Sequence, residues 1–358
     1  MPNSYHEDQK IKSTIKLRLR LGDLPAFMHD FFRGIADTTS ALTRIAYARD
    51  IKIFLRFLSE ERPEFKGKPC GSMTVSDLSA VTSDAIEEYM EYLSYYTKTD
   101  DAQRPLEIQN GERGKARKLS AVRSMFSYFY KRKLIQSNPA DLVDLPKIHG
   151  KSIIRLEVDE ISRLLDEVES GTHLTDRQKR YHEHTKLRDA AIITLMLGTG
   201  MRVSECVGIN ISDIDFNING VIVTRKGGDE STLYFGGEVE EALKRYLAQR
   251  REIQVEGLES DALFLSMRGS RIGVRAVECL VKKYSRLVAP VKKISPHKLR
   301  STYGTRLYQE TGDIYLVADV LGHADVNTTK KHYADMDEDR RRKAAKYVKL
   351  RKSEDPSD

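Results

Sequence analysis

Six side chains in the second half of the chain are of types that can handle a phosphodiester. In "GTGMRVSE", Arg202 follows a Gly-Thr-Gly turn at the start of a helical pattern. Glu205 stands three residues on, a spacing that lets a carboxylate hold a guanidinium. A guanidinium also matches two phosphate oxygens bidentately, which lysine cannot do. In "SPHKLRSTYG", Ser295 takes the N-cap and Pro296 the first helical position. His297 then lies in the first turn and Arg300 one turn later on the same face, beside helix-start amides that favour an anion. "LGHADVNTTKKHY" puts His323 after the helix-ending Gly322, ten residues before Tyr333. Lys226 stands at the turn of a short hairpin and can reach into a groove. Each has a bland reading alone: a structural ion pair, a common His-x-x-Arg, an exposed turn lysine, a surface tyrosine between basic and acidic runs.

The elements that must position these residues are mostly helices. Ala41 to Leu58 places Leu42, Ile45, Ile53, Phe54 and Phe57 on one stripe at helical spacing. Ser83 caps a second helix that buries Tyr89, Met90 and Leu93. Leu119, Val122, Phe126 and Phe129 form the buried stripe of a third. The polar stretch 98–114 reads as a long loop. Pro139, Pro146 and Gly150 punctuate an interdomain linker. The hydrophilic stretch 172–186 reads as a solvated loop. Its His173, His182 and His184 lack the acidic or cysteine partner of a familiar metal spacing. An apolar helix from Ala190 to Leu197 leads into the Arg202 turn. Val221 to Thr224 and Ser231 to Phe235, joined by "RKGGDE", form a hairpin. From Glu238 to Leu350 the pattern is helical, broken at Gly312 and Gly322. The fold class is mainly α with a small β-sheet, in two domains.

With 358 residues, 40% hydrophobic and 32% charged, the chain has a globular composition long enough for two domains. It contains no apolar run long enough to span a bilayer, and its N-terminus lacks the apolar core of a signal peptide. The expected setting is therefore cytoplasmic and nucleoid-associated, without a membrane partner. The three cysteines, Cys70, Cys206 and Cys279, read as reduced thiols. A net charge of +7 hints at a polyanionic partner. The distribution says more. Arg113, Lys115, Arg117, Lys118, Arg123, Lys131, Arg132 and Lys133 are eight basic residues in a stretch without an acidic one. Such a single-sign run is a candidate phosphate-binding surface.

Taken together, the order Arg, Lys, His-x-x-Arg, His, Tyr in these local frames resembles the tyrosine recombinase (phage-integrase) family, Xer-like or transposon-integrase-like. "LRDAAIITLMLGTGMRVSECVGINISDID" and "LGHADVNTTKKHYADM" resemble its catalytic domain, and "LSAVRSMFSYFYKRKLIQSNPADLVDLPK" its helical core-binding domain. The resemblance implies an N-terminal extension over 1–24 and a DNA-binding core-binding domain over 25–147. A linker over 148–156 would lead to a mixed α/β catalytic domain over 157–350, ending in a docking helix, and a tail over 351–358. It makes Arg202 and Arg300 the paired phosphate-clamping arginines and Lys226 the hairpin lysine. His297 and His323 become the two histidine positions, Glu205 the supporting acid and Tyr333 the nucleophile. The hairpin departs from the family pattern. Where many relatives read Lys-Gly-x-Lys-x-Arg, this chain reads "KGGDEST", with two carboxylates in place of two cations.

The implied activity is site-specific DNA recombination through a 3′-phosphotyrosine intermediate, serving dimer resolution, integration or excision. A phenol with a pKa of about 10 needs nearby positive charge or a base to act as a nucleophile. One phosphodiester is exchanged for another, so no ATP or other cofactor is needed. The sequence has no GxxxxGK[ST] loop and no carboxylate cluster for two metals. The implied partners are double-stranded DNA with a recombination site, a homotetramer on two such sites, and accessory proteins. The alternatives are a type IB topoisomerase-like nicking-closing enzyme and a non-catalytic DNA-binding regulator of the same fold.

Overall fold

Apolar residues at helical period build most of the molecule, and a computed structural model describes residues 5–99, 104–149, 154–225, 227–253, 261–322 and 326. The chain divides into two units between Lys151 and Ser152.

The first unit contains α1 (Tyr5–Leu21), α2 (Met28–Gly34), α3 (Ala41–Glu61), α4 (Val75–Ser79), α5 (Ser83–Tyr92) and α6 (Glu112–Lys131). Its core gathers Ile51, Phe54, Leu55 and Leu58 of α3, Ile86 and Tyr89 of α5, and Leu119, Val122, Phe126 and Phe129 of α6. Three local expectations change. Leu42 is 68% exposed, because the buried face of α3 runs through Ala48, Ile51 and Leu55. Thr82 rather than Ser83 caps α5, its hydroxyl accepting from the amide of Ala85. The stretch expected as a long loop instead contains β1 (Tyr96–Thr99) and β2 (Pro105–Ile108), paired antiparallel. Both strands are largely exposed, so no apolar alternation marked them.

The second unit contains α7 (Val158–Ser170), α8 (Asp176–Thr199), α9 (Val203–Gly208), β3 (Ile214–Asp215), β4 (Gly220–Thr224) and β5 (Glu230–Tyr234). After them come α10 (Gly237–Glu252), α11 (Val274–Val288), α12 (Pro296–Thr311) and α13 (Ile314–Leu321). The three strands form one antiparallel sheet in chain order. From Asp189 to Met196, α8 is buried on every side, the signature of a central helix. It packs against α7, α10 and α12. Its polar first half corrects the loop expected over 172–186: Thr175 and Gln178 form a capping box, and the helix begins at Asp176. His182 is buried there and bonds through Nε2 to the carbonyl of Val168. His173 instead approaches the carboxylate of Glu167, with its backbone N–H donating to the same group.

Candidate active site

The turn after α8 is where the site begins. Gly200 ends that helix at φ +66°, in the left-handed region. A Cβ at this position would stand 2.4 Å from Cδ1 of Tyr303 and 2.9 Å from Cδ2 of Leu321. Glycine therefore lets α8 stop against both α12 and α13. Two residues later Arg202 takes the N-cap position of α9. Oε2 of Glu205 accepts from the Arg202 backbone N–H at 2.7 Å, and Oε1 accepts from Arg202 Nη1 at 2.7 Å. This carboxylate is buried, with its side chain 2% exposed, while the Arg202 side chain is 30% exposed. A deeply held acid thus orients a guanidinium that still reaches solvent.

Pro296 begins α12 with Ser295 at the N-cap position, as its sequence implies, but the Ser295 hydroxyl makes no capping bond. His297 is exposed in the first turn. Arg300, one turn on, is buried at 3% exposure. Its Nη1 donates to the carbonyl of Gly200 at 2.8 Å and its Nη2 to the carbonyl of Leu321. Asp313 caps α13 by accepting from the amides of Tyr315 and Leu316, and Gly322 ends the helix at φ +58°. Val317 and Leu321 seat it on Tyr308 of α12.

The carboxyl end of α13 is the meeting point. Its terminal carbonyls carry the negative end of the helix dipole and lack intrahelical donors. Besides the Arg300 bond, Arg202 Nη2 donates to the carbonyl of Gly322 at 3.1 Å. A third arginine joins them, one that the sequence reading passed over. Arg225, just beyond β4, donates from Nη2 to the carbonyl of Val320 at 3.0 Å and from Nη1 to that of Leu321 at 3.4 Å. Its Nη1 also lies 3.8 Å from Oε1 of Glu205. A sequence signal for it existed. Val221 and Val223 are buried, so the period of two puts residue 225 on the inward face.

Arg202, Glu205 and Arg300 are thus brought together with Arg225, and His297 lies one turn from Arg300. Lys226, His323 and Tyr333 lie outside the described residues, as does the expected docking helix. Close by, burial pushes the Tyr303 phenol up, and burial followed by the Glu205 charge pushes the Cys206 thiol up to about 12. Neither group is poised as a nucleophile at neutral pH.

The candidate DNA-binding residues of the first unit divide differently. Lys118 is buried and donates to Oδ1 of Asn110 at 2.6 Å. Arg117 pairs with the fully buried Asp50. Arg123 holds the carbonyls of Ala140 and Val143. Lys115 donates to the hydroxyl of Ser94 at 2.6 Å. The phosphate-facing role expected of Lys118 is corrected accordingly: its ammonium is consumed inside the domain. Arg113, Lys131 and Arg132 are exposed.

Residues 155–340 match the model of the phage integrase family. The chain belongs to that family. It is 33% identical over 305 residues to tyrosine recombinase XerC of Caldanaerobacter subterraneus subsp. tengcongensis, covering 84% of this chain and 79% of that protein. With XerC of Thermodesulfovibrio yellowstonii it shares 36% identity over 218 residues, 60% of this chain and 69% of the relative. Its fold is similar to that of XerH site-specific recombinase bound to palindromic difH substrate, with a TM-score of 0.61 and 20% identity over 87% of this chain and 81% of that one. It is also similar to the Tn1549 transposon integrase in complex with circular intermediate DNA, with a TM-score of 0.60 and 19% identity over 85% and 93% of the two chains. The protein is a site-specific tyrosine recombinase.

Proposed function

We propose that this recombinase cuts and rejoins DNA by transesterification at Tyr333. The Oη of Tyr333 attacks the scissile phosphorus and the P–O5′ bond breaks. The products are a 3′-phosphotyrosyl link and a 5′-hydroxyl. Arg202 and Arg300 hold the non-bridging oxygens and stabilise the charge of the pentavalent transition state. His297 takes the phenolic proton and His323 adds a donor to the phosphate, while Lys226 gives a proton to the departing O5′. The reverse attack by a 5′-hydroxyl from a second duplex completes strand exchange with no net loss of phosphodiester energy. Pairing the ends of two duplexes calls for a homotetramer on two recombination sites, with accessory proteins setting direction. Cytoplasmic DNA of the nucleoid is the expected place of action. Exposed Arg113, Lys131 and Arg132 supply phosphate contacts from the first unit.

One observation carries this reading. Three arginines from separate stretches share the end of α13, directly ahead of the segment that contains His323 and Tyr333. Guanidiniums resting on neutral carbonyls can exchange them for phosphate oxygens, with which they form stronger, charge-assisted bonds. The test is Tyr333→Phe on a nicked suicide duplex. The variant should bind the site normally and form no SDS-resistant covalent complex. Normal covalent product would dismiss Tyr333 as the nucleophile and move the search to Tyr303, Tyr308 or Tyr347.

A further inference from the structure

Arg225 has a place in the site that neither the paired clamp nor the hairpin lysine accounts for. Its backbone closes the root of the hairpin turn: its N–H donates to the carbonyl of Asp229 at 2.7 Å, and its own carbonyl accepts from Gly228 at 3.1 Å. Its side chain runs inward and is only 12% exposed. The guanidinium ends on the Val320 and Leu321 carbonyls and beside Glu205. The fit is close, since a Cβ added to Gly322 would stand 3.1 Å from the Arg225 guanidinium carbon. One residue thus ties the turn to both the end of α13 and the acid that orients Arg202. The turn itself is rich in glycine, with Gly227 at φ +127° and Gly228 at φ +108°. It has little internal stiffness, so the Arg225 anchor matters to whatever the turn presents. The next residue along the chain is Lys226.

We infer that Arg225 is a positioning residue: it fixes the root of the hairpin turn against α13 so that Lys226 meets the leaving oxygen while Arg202 and Arg300 hold the phosphate. The inference rests on the proposed role of Lys226 as proton donor. Its consequence is specific to one step. Loosening the anchor costs protonation of O5′ and leaves DNA binding alone. General-acid catalysis depends on hydrogen-bond reach, and a misplacement of about 1 Å can cost roughly 10²-fold in rate.

The experiment compares Arg225→Gln, Arg225→Lys and Lys226→Ala with the parent protein on two nicked duplexes. One carries the ordinary 5′-bridging oxygen and the other a bridging sulfur. A thiol has a pKa of about 8.5, so its thiolate departs without being protonated. Covalent-complex formation is timed on both substrates, and site affinity and thermal unfolding are measured for every variant. On the oxygen substrate, Arg225→Gln should be slowed by about 10²-fold with affinity unchanged. The sulfur substrate should restore it, as it restores Lys226→Ala. Arg225→Lys keeps the charge but not the planar fork, and should fall between parent and Arg225→Gln on oxygen. Should Arg225→Gln fold poorly, Arg225→Lys alone decides the matter by its oxygen-to-sulfur ratio. An Arg225 variant equally slow on both substrates, with Lys226→Ala restored, overturns the positioning role. So does parental cleavage of the oxygen substrate by Arg225→Gln. Failure of sulfur to restore Lys226→Ala removes the proton-donor reading itself, and the inference with it.

Discussion

The two units use their cations in opposite ways. In the first, Arg117, Lys118 and Arg123 come from a single helix and diverge. Arg117 reaches Asp50 of α3, Lys118 reaches Asn110 before α6, and Arg123 reaches the carbonyls near 140. Burial raises the Asp50 carboxyl against the lowering pull of Arg117 and Lys118, and burial lowers the Lys118 ammonium. In the second unit, Arg202, Arg225 and Arg300 are far apart in the chain and converge. Arg202 and Arg225 share the buried Glu205 carboxylate, and all three share the carbonyls of one helix end. A run of basic residues winds around a helix at about 100° per step, so density along the sequence is not density in space. Convergence of like charge is costly, and tolerating it is a mark of a site that expects an anion.

The sharpest way to break this comparison is to remove one member from each cluster. Arg202→Ala should slow covalent-complex formation by about 10²–10³-fold, or roughly 2.7–4 kcal/mol, as expected for one preorganised donor to a transition state. Site affinity and thermal stability should change little, because the buried Glu205 carboxylate keeps the backbone N–H of residue 202 and the nearby Arg225 guanidinium. Arg202→Lys should remain strongly impaired, since an ammonium cannot make the bidentate contact. A lysine variant that cleaves like the parent would remove the argument for the fork.

Arg117→Ala should do the reverse. It leaves Asp50 buried without its ion-pair partner, at a cost of about 1–3 kcal/mol to folding, less than for a fully buried pair because Arg117 is partly exposed. Asp50→Asn in the same chain should recover part of the loss. Denaturant unfolding reads both. Salt titration of DNA binding gives the companion result. Neutralising Arg113, Lys131 and Arg132 should lower the log–log slope by about 0.9 for each phosphate that the protein no longer neutralises. An equal drop on replacing Lys118 alone would mean that its ammonium leaves Asn110 to reach DNA.

These contrasts also mark what the sequence could and could not give. The stripe of α6 was legible because Leu119, Val122, Phe126 and Phe129 repeat at helical spacing and one face is core. The β4–β5 hairpin was legible from its turn chemistry, two short β-runs joined by "RKGGDE". The β1–β2 pair was not, because strands exposed on both faces carry no alternation. The start of α8 was misread for its polarity, although Thr175 and Gln178 carry a capping signal. Pairing Arg202 with Arg300 came from family resemblance. Local spacing says nothing about two residues nearly a hundred apart. Arg225 stands beside Lys226, which alone matches the family pattern, and only the inward parity of its strand marks it. Lys118 was misplaced because a count of charges along a helix does not know which face is core.

The smallest expected effect concerns a charge pair in the second unit that should behave like those of the first. Glu160 caps α7 by accepting from the Glu157 amide at 2.7 Å, and it accepts from Lys292 Nζ at 2.5 Å. Lys292 also donates to the carbonyl of Arg155 at 3.0 Å, so the pair ties the start of α7 to the loop ahead of α12. Burial alone would raise the Glu160 carboxyl. The Lys292 hydrogen bond, the Glu157 amide and the Lys292 charge outweigh it and hold the group below its ordinary 4.5. A depressed folded value means the ionised form is favoured by folding. Its contribution is fully present above pH 4.5 and fades as pH falls through the lower folded value. Glu160→Gln should therefore be less stable than the parent at neutral pH, with the gap closing only in acid below that point. Other carboxylates titrate in the same range, so the quantity to follow is the difference between the two proteins in thermal midpoint, not either curve alone. Cleavage rate at neutral pH should be unaffected, since Glu160 orients a helix start and touches none of the converging arginines. A gap that widened in acid would reverse the sign of the argument. A slowed cleavage step at equal stability would place Lys292 among the groups that the site depends on.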